Sequence, residues 1–130
     1  VSPVDVVYDL GSGDGRIPIA AAREHGARAV GIELDGGMVA RARCLAREAG
    51  VEQQVQFREE DLFKADLRDA TVVTLFLFPE IHRSLAPRLR AELRPGARIV
   101  SHRFDLGDWP PQVQREVDGH TIYLWTVPSR

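Results

Sequence analysis

Val4-Asp5-Val6-Val7-Tyr8-Asp9-Leu10-Gly11-Ser12-Gly13-Asp14-Gly15-Arg16 is the stretch that decides how this chain is read. An apolar run ends in an acid, Asp9, and enters a turn with glycine at every second position. A helical pattern follows. Gly11, Gly13 and Gly15 let the backbone turn tightly and approach a ligand with no Cβ in the way. The turn lies at the carboxyl end of a first strand, where open α/β sheets bind nucleotide-like ligands. A dinucleotide fingerprint, G-x-G-x-x-G, would place its third glycine at Arg16. The pattern here is acid-x-G-x-G-x-G. Asp14 is placed to cap the following helix, with Arg16 as its ion-pair partner.

Beyond this turn, strands and helices alternate, which predicts an α/β fold: a mostly parallel, doubly wound sheet with helices on both faces. The expected strands are Val4–Leu10, Ala27–Glu33, Val55–Arg58, Thr71–Phe78 and Ala97–Phe104. Helices are expected at Arg16–His25 and Gly37–Ala49, the latter burying Met38, Ala42, Leu45 and Ala49 at helical spacing. Pro87 predicts two short helices between residues 79 and 93, since proline suits a first turn better than an interior. Asp118-Gly119, between Val113–Val117 and Thr121–Val127, is a strong two-residue hairpin signal. The sheet therefore ends in an antiparallel hairpin. A classical dinucleotide fold would end in another parallel strand.

At 130 residues the chain reads as one domain, 1–130, able to bury a core. A net charge of -2 gives no global pull toward nucleic acid or anionic membrane. No apolar run approaches a membrane span, and no signal peptide opens the chain. A cytoplasmic protein without a membrane partner is the expectation. The one cysteine, Cys44, rules out an internal disulfide and reads as a small buried residue. No spacing suggests a metal site.

The glycine turn, the acids behind it and the terminal hairpin together resemble the class I methyltransferases, which bind S-adenosylmethionine and release S-adenosylhomocysteine. The resemblance implies a Rossmann-like sheet of order 3-2-1-4-5-7-6, from which most of the usual N-terminal helical extension would be missing. It implies that Asp9 faces the methionyl ammonium, that Gly11, Ser12, Gly13 and Gly15 line the methionyl and ribose parts, and that Asp61 accepts from the adenine amino group beside Leu62. Glu33 is reached independently. An acid at the end of a second strand accepts two hydrogen bonds from vicinal ribose hydroxyls, and Leu34 after it packs on the adenine.

Methyl transfer is an in-line displacement, so the protein chiefly positions the acceptor and excludes water. The acceptor is expected at the end of the fourth strand, Thr74-Leu75-Phe76-Leu77-Phe78-Pro79-Glu80. This is not the Asn/Asp-Pro-Pro-Tyr/Phe motif of enzymes acting on planar amides or base amines. Phe76 and Phe78 alternate and share a face. Phe76 is placed against the cofactor. Phe78, Pro79, Phe104 and Trp109 are placed along a substrate channel, core packing being the competing reading for the two strand phenylalanines. Glu80 and His102 are the candidate proton acceptors, with His82 close by in sequence.

Asp9-Leu-Gly-Ser-Gly-Asp-Gly-Arg16, Gly31-Ile-Glu33, Leu77-Phe-Pro79, Arg94-Pro-Gly96 and Ser101-His102-Arg-Phe104 narrow the resemblance. They look like the family of the mitochondrial lysine methyltransferases of the ATP synthase c subunit and adenine nucleotide translocase, and its short prokaryotic relatives. Protein lysine N-methylation is what this implies. Phe76 stands where the family usually has tyrosine, so a tyrosine hydroxyl's role is lost. The membrane-associated N-terminal segment of the mitochondrial members is expected to be missing, and their membrane substrates are not carried over. Two other readings stay open: an RNA or small-molecule methyltransferase on the same core, and a non-catalytic S-adenosylmethionine-binding module. Arginines 83, 88, 90, 94, 98 and 103 would form the basic surface for RNA, although interspersed acids favour solvated helix faces. Oligomeric state is not readable.

Overall fold

The structure is a computed structural model and describes residues 1–129. The chain runs β1 (Val6–Leu10), α1 (Arg16–His25), β2 (Arg28–Glu33), α2 (Gly36–Glu48), β3 (Val55–Glu59), β4 (Val72–Leu75), α3 (Pro79–Glu92), β5 (Arg98–His102), β6 (Val113–Val117) and β7 (His120–Thr126). The strands form one sheet of order β3-β2-β1-β4-β5-β7-β6, as the class I resemblance implies. β1 pairs with β2, β2 with β3 and β4 with β5 in parallel; β7 pairs antiparallel with β5 and β6. The residues divide into two compact units, Val1–Asp66 and a second from Leu67 onward.

In the first unit, α1 and α2 pack on β2 and β3 and touch each other. Val7, Tyr8, Leu10, Ile32 and Phe57 are buried. Asp35 caps α2, its Oδ1 accepting the Gly37 and Met38 amides at 2.9 and 3.3 Å. The stripe α2 buries is Val39, Ala42 and Ala46; Ala42 is buried as expected, while the face is otherwise rotated by one residue and Met38, Leu45 and Ala49 are only half-buried. The same rotation leaves Cys44 exposed, against the expectation of burial.

In the second unit, β4 is shorter than expected and α3 is one helix rather than two. Pro87 removes one backbone bond within α3, at a cost of about 3 kcal/mol. Leu85, Ala86 and Leu89 form a buried face that continues across it, and that burial holds the helix together. β5 stops at His102 because Arg103 adopts φ 76°, in the left-handed region. Asp118 (φ 51°) and Gly119 (φ 79°) both have positive φ, the mirror-image turn that suits a twisted hairpin. Trp125 is buried, and its indole N–H donates to the Trp109 carbonyl at 2.8 Å, which anchors the loop after β5.

Candidate active site

Nearly all of the predicted cofactor residues fall in the first unit, at the carboxyl ends of β1, β2 and β3. The glycine turn is held from within. Gly11 and Ser12 N–H groups donate to the Ile32 carbonyl at 2.8 and 3.1 Å, and Gly15 N–H donates to Ser12 at 2.9 Å. Gly13 N–H donates to Glu33 Oε1 at 2.8 Å. A pyrophosphate site needs free N–H groups, and four amides of the turn, those of Gly11, Ser12, Gly13 and Gly15, are already donated within the protein. What this end of the sheet still offers is acceptors: Glu33, Asp61 and backbone carbonyls. Such a set suits a cationic ligand and disfavours a phosphate.

Glu33 is half-buried, and its other oxygen accepts the Asp35 amide at 3.1 Å. Each carboxylate oxygen has two lone-pair directions, so one per oxygen remains for a pair of hydroxyls. Asp61 is half-buried, and its Oδ1 accepts the Phe63 amide at 2.9 Å. Leu34 is 70% exposed beside Glu33, an apolar face available to a planar ring, and Leu62 is half-buried. Asp9 is buried. The Ser12 hydroxyl is buried without a hydrogen-bond partner, which costs about 1–3 kcal/mol unless a ligand or water answers it. Orphaned hydroxyl, paired acids and exposed leucine together fit S-adenosylmethionine. Asp14 pairs with Arg16 at 3.0 Å and accepts the Arg16 amide at 3.2 Å. The Arg16 hydrogen bond holds the Asp14 carboxyl below its ordinary pKa.

The predicted acceptor residues fall in the second unit. Phe76 and Phe78 are 51% and 68% exposed, which removes core packing as their explanation. The Phe76 ring lies 4.2 Å from His102, and His102 lies 4.8 Å from His120, centroid to centroid. Loss of hydration, then the neighbouring His120 and Arg103, lower the pKa of His102. Glu80 is exposed in the first turn of α3, and Pro79 begins that helix. Phe104 is half-buried with the Arg103 guanidinium 5.3 Å over its ring. Trp109 stands apart from this aromatic group. It lines a cleft of about 430 Å³ with Arg83, Pro87, Arg90 and Asp108, and Arg90 stacks on its ring at 5.1 Å.

Two residues, Asp35 and His120, escaped the sequence reading of the site, and a third, His82, was named there without its structural role. Asp35 had a usable signal, an aspartate directly before helical periodicity. His120 meets His102 only once the hairpin register is fixed. His82 looked like one more histidine near Glu80, and only its burial marks it. Among the described residues, no group of three or more His, Cys, Asp or Glu is placed to hold a metal ion. None of the helices among them is long and apolar enough to cross a membrane.

Residues 9–113 match the family model described as the ANTKMT methyltransferase domain. A protein-lysine N-methyltransferase of Saccharolobus islandicus is 40% identical over 98% of this chain and 82% of its own length. The adenine nucleotide translocase lysine N-methyltransferase of Mus musculus is 47% identical over 81% of this chain, which spans 46% of that relative. A crystal structure described as an RNA methyltransferase from Salinibacter ruber, in complex with S-adenosyl-L-homocysteine, is 54% identical. It covers all of this chain and 85% of its own, with a TM-score of 0.98.

Proposed function

The chain belongs to the ANTKMT methyltransferase domain family, S-adenosylmethionine-dependent enzymes, and from that premise we propose that it methylates the side-chain amine of a protein lysine. The cradle at Gly11–Gly15, Glu33 and Asp61, with its carboxylate acceptors and the unpartnered Ser12 hydroxyl, is the observation that carries the cofactor assignment. It supports the methionyl and ribose roles given above for Asp9, Gly11, Ser12, Gly13 and Glu33, and the adenine roles of Leu34, Asp61 and Leu62. The lysine assignment rests on the archaeal and mouse relatives. The exposed rings of Phe76 and Phe78 support it, because aromatic faces attract and align an alkyl ammonium.

When bound, S-adenosylmethionine supplies an electrophilic methyl on a sulfonium sulfur. The protein must present an amine with a free lone pair. An ammonium therefore loses a proton first, and we assign that proton to His102, with Glu80 as the alternative. Neutral His102 is the accepting form. Its pKa lies below the ordinary value of about 6.5, so it accepts throughout the neutral range and fails as pH drops through that lowered value. His102→Gln is expected to slow transfer about a hundredfold. Its acid limb in a profile of initial rates should be shallower than the wild type's. Equal limbs would remove His102 from the role.

The whole 130 residues are taken as one methyltransferase core, and the exposed thiol of Cys44 suits a reducing cytoplasm. The Salinibacter structure, by its description, favours RNA as a second reading of the acceptor. Radiolabelled S-adenosylmethionine, incubated with host lysate and this protein, separates the two. Label released by protease is the expected result, and label released by nuclease overturns it. An RNA acceptor would also show a steep loss of transfer with salt.

A further inference from the structure

We propose that His82 is a positioning residue for methyl transfer, a neutral imidazole clasp joining the end of β4 to the loop after β5. Its ring is fully buried although it lies in the first turns of α3. Nε2 accepts the Leu77 amide at 3.0 Å. Nδ1 faces the Phe104 and Asp105 carbonyls at 3.2 and 3.3 Å, and Ser101 Oγ at 3.3 Å. Carbonyls only accept. Ser101 gives its own proton to the Phe104 carbonyl, so it too presents a lone pair to Nδ1. Every contact around Nδ1 is an acceptor, and the contact at Nε2 is a donor. Only the Nδ1–H neutral tautomer satisfies both sides.

The clasp explains two features of the acceptor residues. The Leu77 amide is spent on His82 instead of a sheet ladder, so β4 ends at Leu75 and both Phe76 and Phe78 stand out to solvent. The Phe104 and Asp105 carbonyls are held on the same ring, which fixes the segment that follows His102. Phe104 also sets its ring edge-on to His82 at 6.0 Å. One imidazole thus sets the spacing of both segments that the proposed function gives to the acceptor, and the inference rests on that reading.

Protonation would point an N–H at the Leu77 N–H and break the clasp. Burial lowers the His82 pKa; the Phe104 and Asp105 carbonyls and the Asp105 charge oppose that in part. The Asp105 carbonyl and Ser101 Oγ face the ring directly, the Asp105 carboxylate accepts the Gly107 amide, Arg103 lies over Phe104, and Glu80 and Arg83 flank His82 on α3 at exposed positions. With its folded pKa below the ordinary value of about 6.5, the ring stays neutral at that pH; the stability the clasp contributes is full above about pH 6.5 and is lost as pH falls through the lowered value, where the clasp opens.

The test compares wild type, His82→Gln and His82→Leu for S-adenosylhomocysteine affinity and for transfer of labelled methyl to lysate macromolecules. Gln keeps an acceptor for the Leu77 amide; Leu keeps neither bond. Transfer is expected to fall about tenfold to a hundredfold in His82→Leu and to be partly restored in His82→Gln, with cofactor affinity within twofold of wild type. Equal transfer in all three, or parallel loss of transfer and cofactor binding, overturns the proposal. Imidazole ¹⁵N NMR of the wild type gives an answer independent of the acceptor or of any variant's folding. A neutral Nδ1–H ring persisting below pH 6.5 is expected, and an Nε2–H ring, or titration at the ordinary value, overturns the clasp. Absence of wild-type label in protein rejects the lysine reading alone.

Discussion

Glu33→Ala is expected to raise the dissociation constant for S-adenosylhomocysteine about tenfold to a hundredfold, the result of losing one or more charge-assisted hydrogen bonds. The carboxylate has two duties. It accepts the Gly13 and Asp35 amides and so holds the glycine turn and the start of α2 together. In the proposed cofactor role its remaining lone pairs would accept from a vicinal diol. Alanine removes both, leaving a half-buried Gly13 N–H without its partner. Glu33→Gln should lose less, since the amide oxygen still takes one N–H while the amide nitrogen opposes the other. Calorimetric titration reads all three proteins. A dissociation constant within twofold of wild type for Glu33→Ala would leave the cofactor assignment at β2 without support.

The parts of the site that were legible in sequence are those set by local chemistry. The Gly11–Gly15 turn, Glu33 at the end of β2 and the Asp118-Gly119 hairpin each follow from a few adjacent residues, whereas the sheet order came with the resemblance to the class I methyltransferases. What failed depended on tertiary balance. Pro87 argues for a break when read alone, but the buried face of Leu85, Ala86 and Leu89 runs past it. A single residue of rotation exchanged Met38 and Leu45 for Val39 and Ala46 in α2 and turned Cys44 outward. Phe76 and Phe78 look like core strand residues. They are exposed because β4 gives the Leu77 amide to a side chain five residues on. The loop's hydrogen bonding, with the Gly11, Ser12, Gly13 and Gly15 amides donated within the protein, was also invisible in sequence.

Gly15→Ala is expected to destabilise the fold by roughly 2–5 kcal/mol, through two causes that can be measured apart. Gly15 sits at φ +83°, which costs an L-residue about 1–2 kcal/mol. A Cβ there would also lie 2.5 Å from Phe57 Cζ and 3.0 Å from Ala42 Cβ. Phe57 is buried, so its ring has little room to retreat. Gly50→Ala carries the backbone cost alone, since φ is +74° and a Cβ meets nothing within 4 Å. Gly31→Ala carries the contact cost alone, because its Cβ would meet Phe57 at 2.6 Å and Ser12 Oγ at 2.7 Å without a positive φ. Urea midpoints for the three variants should therefore rank Gly15→Ala as the least stable, with its loss near the other two combined. Against a typical stability of 5–15 kcal/mol, that loss decides whether the turn survives at growth temperature. A Gly15→Ala midpoint no lower than that of Gly50→Ala would show that Phe57 yields easily. The close packing of α1 on β3 would then not be what shapes the cofactor turn.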